Sequence, residues 1–410
     1  MKQKTNWLLV ILGGIGYTAL IGAAYVANLQ YVLFQAATGF SDAEIGAIVG
    51  VVGSVALFGY LFGGVLSDFI KTKTLMVLSH FAVPVLLFFL LGMPSHKTFM
   101  LIEFGLAFFS IFTYWTPMAK FVSDLGAPED EGKRYGFFFM ASSIAGFAIG
   151  LVAAYFIRHF DAVVALRNVF LVYMVLNLIT GIAIIISYKE QAVEGEASLD
   201  DKFQLKYVWQ ALKMPAIWLI GIMGFAAYGT GKAMVYLTPY LQDCFGLPLE
   251  TVQILSSVSA YGIAIFMSPV AGILTDKMKS ATKLLRIMLV GFIITCAVVY
   301  LLPINPNLSW ALIICLVLGA AFYAIDQANW FTPLSEVSFP SQVRGTVIGI
   351  VSVIEFSGDA FLYNVYGNML EKNGLEAGYK MIYMNIGIIA VVGLLAGLLL
   401  KKFIKKGDAE

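Results

Sequence analysis

Gly64-Val65-Leu66-Ser67-Asp68, followed by Lys71 and Lys73, is written a second time as Gly272-Ile273-Leu274-Thr275-Asp276, followed by Lys277 and Lys279. Each copy closes the second long apolar segment of its half of the chain. The sequence is therefore an internal duplication built from long apolar helices, and everything else in it can be placed relative to these two phrases.

Composition puts those helices in a lipid bilayer. Hydrophobic residues make up 60% of the chain and charged residues 12%, against about 45–50% and about 25% in soluble domains. With 410 residues there is room for roughly a dozen spans of about 20 residues. The net charge of +1 comes without a concentrated basic patch, so no nucleic-acid partner is expected. Cys244, Cys296 and Cys315 lack metal-ligand spacing and read as packing residues. His80, His96 and His159 are scattered, and no phosphate-binding glycine loop is present. Neither metal nor cofactor is called for, and the chain does not read as an enzyme. The first apolar stretch, from Trp7, has no small-residue cleavage pattern and reads as a first span rather than a removed signal.

Twelve segments carry the apolar runs, at 7–35, 42–67, 74–93, 98–122, 135–157, 168–188, 215–240, 250–275, 283–303, 308–332, 343–367 and 379–402. The expected fold is an all-α membrane protein of twelve transmembrane helices in two six-helix, pseudo-symmetric bundles, 1–188 and 215–410. The polar stretch 189–214, with Glu190, Glu194, Glu196, Asp200 and Asp201, is the linker, and a short surface helix is expected over Leu205 to Leu212. Duplicated membrane bundles that rock about a central site are the usual plan of secondary transporters.

Basic residues orient the chain. With the N-terminus inside, one side collects Lys2, Lys4, Lys71, Lys73, Lys120, Lys133, Arg134, the linker lysines, Lys277, Lys279, Lys283, Arg286, Arg344 and the lysines of the tail, about twenty against about five. The positive-inside rule converts that bias into two cytoplasmic termini.

Twelve spans in two sixes, with Gly-x-Leu-Ser/Thr-Asp and basic residues after the second span of each half, resemble the major facilitator superfamily. A second repeated phrase adds to the likeness: Trp115-Thr116-Pro117 ahead of Glu131-Gly132-Lys133-Arg134, and Trp330-Phe331-Thr332-Pro333 ahead of Arg344-Gly345-Thr346. Tyr236-Leu237-Thr238-Pro239-Tyr240 and the run from Ser352 to Asp359 resemble a bacterial branch of it labelled YihN-like. The superfamily resemblance implies a gating role for Asp68, with Asp276 as its weaker repeat, and Lys71 and Arg344 are grouped with them. Lys71 can instead serve only to fix topology.

Charges within apolar spans are expensive, at least about 2.5–3.5 kcal/mol near a helix centre, and persist where they have a partner or a wet cavity. Lys232, Asp326, Glu355 and Asp359 are such charges. Glu355 and Asp359, at i and i+4, would share a face beside Lys232 and lose their protons as a coupled group. The four are the candidate proton-coupling set; the alternative is a fixed ion pair of Lys232 with Asp359 that sets helix register. Asp326 can also be an entrance residue. Glu103, toward the far end of span 4, reads as a rim residue.

Polar-tipped aromatics and amides on spans 1, 4, 7 and 10 are the candidate solute contacts: Tyr25, Asn28, Tyr31, Trp115, Tyr228, Tyr236, Tyr323, Gln327 and Trp330, with Tyr17, Gln35 and Tyr114 nearby. Such groups stack on and hydrogen-bond small polar molecules, and singly each could be a packing residue. The superfamily's organophosphate exchangers place basic residues in spans 1 and 7; here span 1 has none and Lys232 stands alone. No intramembrane Arg offers a bidentate anion clamp. The drug antiporters' Arg in span 4 and Gly-Pro pattern in span 5 are absent, and Gly146-x-x-x-Gly150 reads as helix packing. The expected function is alternating-access transport of a sugar, sugar acid or other monocarboxylate, as a monomer drawing on the proton gradient. Uniport, exchange and a non-transporting solute sensor are the alternatives.

Overall fold

The computed structural model describes residues 5–126, 131–190, 205–330, 332–339 and 344–404. Among them the chain is all-α, apart from one isolated bridge between Val337 and Ile404. Among the described residues, eleven helices are long and apolar enough to cross a membrane. The remaining expected span, the seventh, is helical from Pro215 but interrupted, as Pro215–Ala233, Met234–Tyr236 and Leu237–Asp243. The expected surface helix is present at Leu205–Leu212, with Trp209 exposed.

Helix ends follow local chemistry. Gly39 closes span 1 in the left-handed conformation, at φ 70°, which a residue with a Cβ adopts at a cost. Two residues later Ser41 and Glu44 form a reciprocal capping box that starts span 2, Asp42–Phe69. The Asp161 carboxylate accepts from the Val164 N–H to start span 6, Ala162–Ser187. Spans 3 (Thr72–Leu90) and 9 (Ala281–Leu301) are capped by a carboxylate from far along the chain. Glu190 accepts from the Thr72 N–H at 2.8 Å, and Glu336 from the Thr282 N–H at 3.2 Å. Lys73, of the first repeated phrase, donates to the Ile185 and Tyr188 carbonyls, where the dipole of span 6 favours a cation.

Six spans are broken. Span 1 is Trp7–Ala24, Val26–Leu29 and Tyr31–Thr38; span 4 is His96–Ala107, a π turn at Phe108–Phe112 and Trp115–Asp124. Span 8 is Leu249–Ser257, a π turn at Val258–Gly262 and Ile263–Met278. Span 10 runs Ser309–Gln327 and resumes at Pro333–Glu336, and span 11 is Arg344–Phe356 and Gly358–Asn373. Spans 5 (Glu131–His159) and 12 (Leu375–Leu400) are continuous, as are 2, 3, 6 and 9. A proline ring clashes with the carbonyl four residues earlier and supplies no N–H. Pro117, Pro239 and Pro333 each follow a threonine, and the residues four back, Thr113, Val235 and Asn329, all lie in the interruptions of spans 4, 7 and 10. Pro84 shows that the residue alone is not sufficient, since span 3 continues through it. In span 11 the break falls at Ser357-Gly358, where the Ser357 hydroxyl bonds the Ile354 carbonyl.

By compactness the chain forms two units, which group residues differently from the sequence repeat. The first comprises Met1–Ala192, Gly246–Ile265 and Asp359–Glu371; the second Val193–Phe245, Phe266–Gly358 and Lys372–Glu410. In the first unit, Gly46, Gly50 and Gly53 of span 2 lie against the backbone of Tyr363, Ala360 and Asp359, and Gly367 lies against Asp42. A Cβ on any of these glycines would meet main chain, so the seam exists only because they lack one. Gly146 and Gly150 of span 5 pack against Tyr261 and Ser257 of span 8, a helix contact as expected. In the second unit, Gly221 and Gly224 of span 7 receive Ile354 and Glu355, and Gly231 receives the Tyr323 ring. Cys296 and Cys315 are buried, and Cys244 is half-buried.

Candidate functional site

The breaks in spans 7, 10 and 11 bring the polar residues of the second unit together. The ring of Tyr228 lies 6.4 Å from Tyr323, 5.5 Å from Trp330 and 4.9 Å from Phe356, and Trp330 lies 5.2 Å from Phe356. Most of these pairs meet edge to face, so the box presents both ring faces and ring edges. The Lys232 ammonium stands 5.2 Å from the centre of the Tyr228 ring, within cation–π range. The Trp330 indole N–H is buried with no hydrogen-bond partner.

Two acids flank the box. Asp326 and Glu355 are both 0% exposed, and none of their four carboxyl oxygens has a hydrogen-bond partner. The Glu355 carboxyl acts electrostatically on Asp326. It lies over Gly224, where a Cβ would fall 2.8 Å from the carboxyl carbon. Asp326, a candidate for the coupling set with an entrance role as the alternative, is fully enclosed. Phe356 is a member of the box that sequence reasoning missed, because an apolar ring in an apolar span carries no signal. Tyr236 is fully buried, whereas Gln327 is exposed. The second repeated phrase is tied to the break in span 10 by the Thr275 hydroxyl, which donates to Asn329 Oδ1 at 2.8 Å.

In the first unit, the Tyr25 hydroxyl donates to Asp359 Oδ2 at 3.0 Å. The break at Ser357 lies between Glu355 and Asp359, so the continuous helix face expected for that pair is interrupted. Tyr17 gathers Tyr114, Trp115, Phe138 and Phe139 within 5.6 to 6.4 Å. Asn28 and Gln30 are buried, with Asn28 Nδ2 and Gln30 Oε1 unpartnered. Tyr173 of span 6 bonds Gln30; sequence reading missed both residues, Tyr173 because span 6 was not searched for solute contacts. Tyr31 is engaged elsewhere, its hydroxyl donating to Asp42, to which Gln35 also donates. Glu103 is fully buried, which corrects its reading as a rim residue.

Of the gating candidates, Lys71 is exposed at the start of span 3, and the side chains of Asp68, Asp276 and Arg344 lie outside the described residues. A groove of about 480 Å³ between spans 2, 4 and 11 is lined by Val51, Phe58, Met100, Phe104 and Phe361, with Ser54 and Asn364 as its polar members. None of the candidate site residues lines it.

Comparison with known proteins agrees with this architecture. The chain is 26% identical to Inner membrane protein YihN of Escherichia coli (strain K12), over 100% of this chain and 99% of the relative. It is 24% identical to Inner membrane protein YqcE of the same organism, over 95% and 92%. Its fold is similar to that of a bacterial homolog to the human lysosomal transporter Spinster, with a TM-score of 0.77 and 15% identity over 98% of this chain and 100% of that one. It is also similar to the D-xylose-proton symporter, with a TM-score of 0.69 and 17% identity over 98% of each chain. The nucleoside transporter NupG gives a TM-score of 0.71 and 15% identity over 97% and 99%. Residues 7–363 match the Major Facilitator Superfamily. This integral, multi-spanning membrane protein belongs to that superfamily.

Proposed function

We propose that the protein is a secondary active transporter that moves a small polar organic solute, a sugar, sugar acid or other monocarboxylate, together with a proton by alternating access. The observation that carries this reading is the pair of enclosed acids, Asp326 and Glu355, beside the box of Tyr228, Tyr323, Trp330 and Phe356. A buried carboxylate without a partner costs several kcal/mol, so a group in that position either holds a proton or meets a cation. Proton gain and loss at this pair, linked to solute in the box, is what symport requires. Asp326 thus takes the place in the coupling pair that sequence spacing assigned to Asp359. Lys232, whose ammonium stands over the Tyr228 ring, contributes positive charge beside the box. One structural neighbour is named a D-xylose-proton symporter and another a nucleoside transporter, which favours ring-shaped, hydroxyl-bearing solutes.

The same proposal includes two six-helix halves, 1–188 and 215–410, joined by a linker, a monomer with both termini on the cytoplasmic side of a bacterial inner membrane, and gating through Asp68 and Asp276 with Lys71 and Arg344. Identity to YihN along the whole chain supports placing it in that branch. The test is uptake into sealed vesicles under an imposed proton gradient, with solutes first screened by thermal shift at two pH values, since a ligand specific to the native state raises apparent stability. Solute-driven alkalinisation of the outside, lost in Glu355→Gln and Asp326→Asn with binding retained, supports the reading. Concentrative uptake by both variants would leave the acids uncoupled, and binding without any flux would make the protein a sensor.

A further inference from the structure

One carboxyl outside the box is as isolated as the two within it. Glu103 lies in the first segment of span 4 on the face that also buries Phe99, Leu106 and Ala107. It is 0% exposed and neither oxygen has a hydrogen-bond partner. Spans 1, 2 and 3 pack against this segment, all within the first unit.

The titratable groups on those elements are engaged elsewhere. On its own helix, His96 meets the Glu44 carbonyl and Lys97 is exposed. On span 2, Asp42 accepts from Tyr31 and Gln35, and Glu44 accepts from the Ser41 N–H; the side chain of Asp68, at the opposite end, lies outside the described residues. On span 3, Lys73 donates to two carbonyls and His80 meets Asn177. On span 1, Tyr17 sits among rings. None of these groups donates to Glu103 or pairs with it. A carboxylate there would be a charge with no compensation, at a cost of several kcal/mol.

The neighbouring chain offers an acceptor instead. The Phe34 and Phe99 rings meet edge to face at 5.2 Å. Spans 1 and 4 run antiparallel, so one turn back from Phe34 and one turn on from Phe99 brings Gln30 and Glu103 to the same level. Gln30 Oε1 is buried and has no donor. A neutral carboxylic acid supplies an O–H donor, whereas a carboxylate only accepts.

We propose that Glu103 is a second proton-binding site, in the first unit and separate from Asp326 and Glu355, which holds its proton in the arrangement described and releases it only when span 4 shifts and admits water. The π turn at Phe108–Phe112 directly follows its helix and supplies the irregular backbone for such a shift. The inference does not depend on what solute is carried or on whether transport is proton-coupled.

The test is infrared spectroscopy of the carboxylic-acid C=O stretch in the full-length protein in lipid vesicles at about pH 7, where a solvated glutamate, with a pKa of about 4.3, is ionised. Glu103→Gln, nearly isosteric, should remove one carboxyl's share of the band, Glu103→Asp should keep that share at a shifted frequency, and Glu355→Gln should remove a different share. At alkaline pH, hydrogen exchange over 96–107, corrected for the base-catalysed rise of the intrinsic rate, should lose protection in the wild type and keep it in Glu103→Gln. A folded Glu103→Gln protein whose band is undiminished would overturn the assignment. Equal loss of protection in both proteins would overturn the link to span 4. Neither readout requires Glu355 to couple transport, so the two proposals fail separately.

Discussion

Span 11 holds two carboxyls four residues apart in opposite surroundings. Glu355 lies in the last turn of Arg344–Phe356, where backbone carbonyls point outward and disfavour a negative charge; it has no hydrogen-bond donor. Asp359 lies in the first turn of Gly358–Asn373, where N–H groups favour a negative charge, and it receives the Tyr25 hydroxyl. The break at Ser357-Gly358 creates both environments at once: it sets the carbonyl end of one helix against the N–H end of the next, between the two acids. One acid is thereby left without a hydrogen-bond donor, while the other is held to a neighbour by one. Their roles are separated by backbone geometry rather than by residue type.

The largest effect that would break this comparison is expected at Glu355. Glu355→Gln keeps the shape and removes the exchangeable proton, so solute should equilibrate across vesicles without accumulating, while its binding affinity stays within a few-fold. Asp359→Asn should retain accumulation and lose stability. If Asp359→Asn abolishes coupling and Glu355→Gln does not, the division of labour is reversed.

The next effect concerns the seam that carries Asp359. Gly53 of span 2 lies against the Asp359 backbone, and a side chain there would run into main chain that cannot rotate away. Gly53→Val should cost about 1–3 kcal/mol, the usual penalty of overpacking, and lower the melting temperature in detergent accordingly. Gly349 is the control: it lies in the Glu355-bearing helix with open space around its Cβ position, so Gly349→Ala should be neutral or gain up to about 1 kcal/mol of helix propensity. Equal losses at the two glycines would mean that the seam contributes nothing specific.

The sequence made the long apolar segments legible because membrane burial requires unbroken hydrophobicity over about 20 residues. It also identified Tyr228, Lys232, Tyr323 and Trp330, whose polar tips are costly in an apolar span. It hid the breaks. Helical spacing was assumed to run through Glu355 and Asp359, although Ser357-Gly358 carried a signal for interruption. The repeated Thr-Pro phrase served as a family signature, when its physical content is a proline four residues after a residue of each interruption. The breaks in span 1 fall at Tyr25 and Gln30, neither of them a proline or a glycine. Glu103 was misread for a different reason: distance from a helix end does not determine which face a residue presents, and its face is the packed one.

The smallest effect is the most discriminating. Tyr25→Phe removes only the hydroxyl that donates to Asp359, a single hydrogen bond to a charged group that is worth about 1.5 kcal/mol. Asp359→Asn removes the charge on the other side of the same bond. If that hydroxyl holds Asp359 in place at its helix N-terminus, the double variant should be less destabilised than the sum of the singles, with a coupling of about 1 kcal/mol in thermal or denaturant melts. Strict additivity of the two substitutions would show that Tyr25 and Asp359 are neighbours without being partners. The contrast with Glu355 would then rest on the helix ends alone.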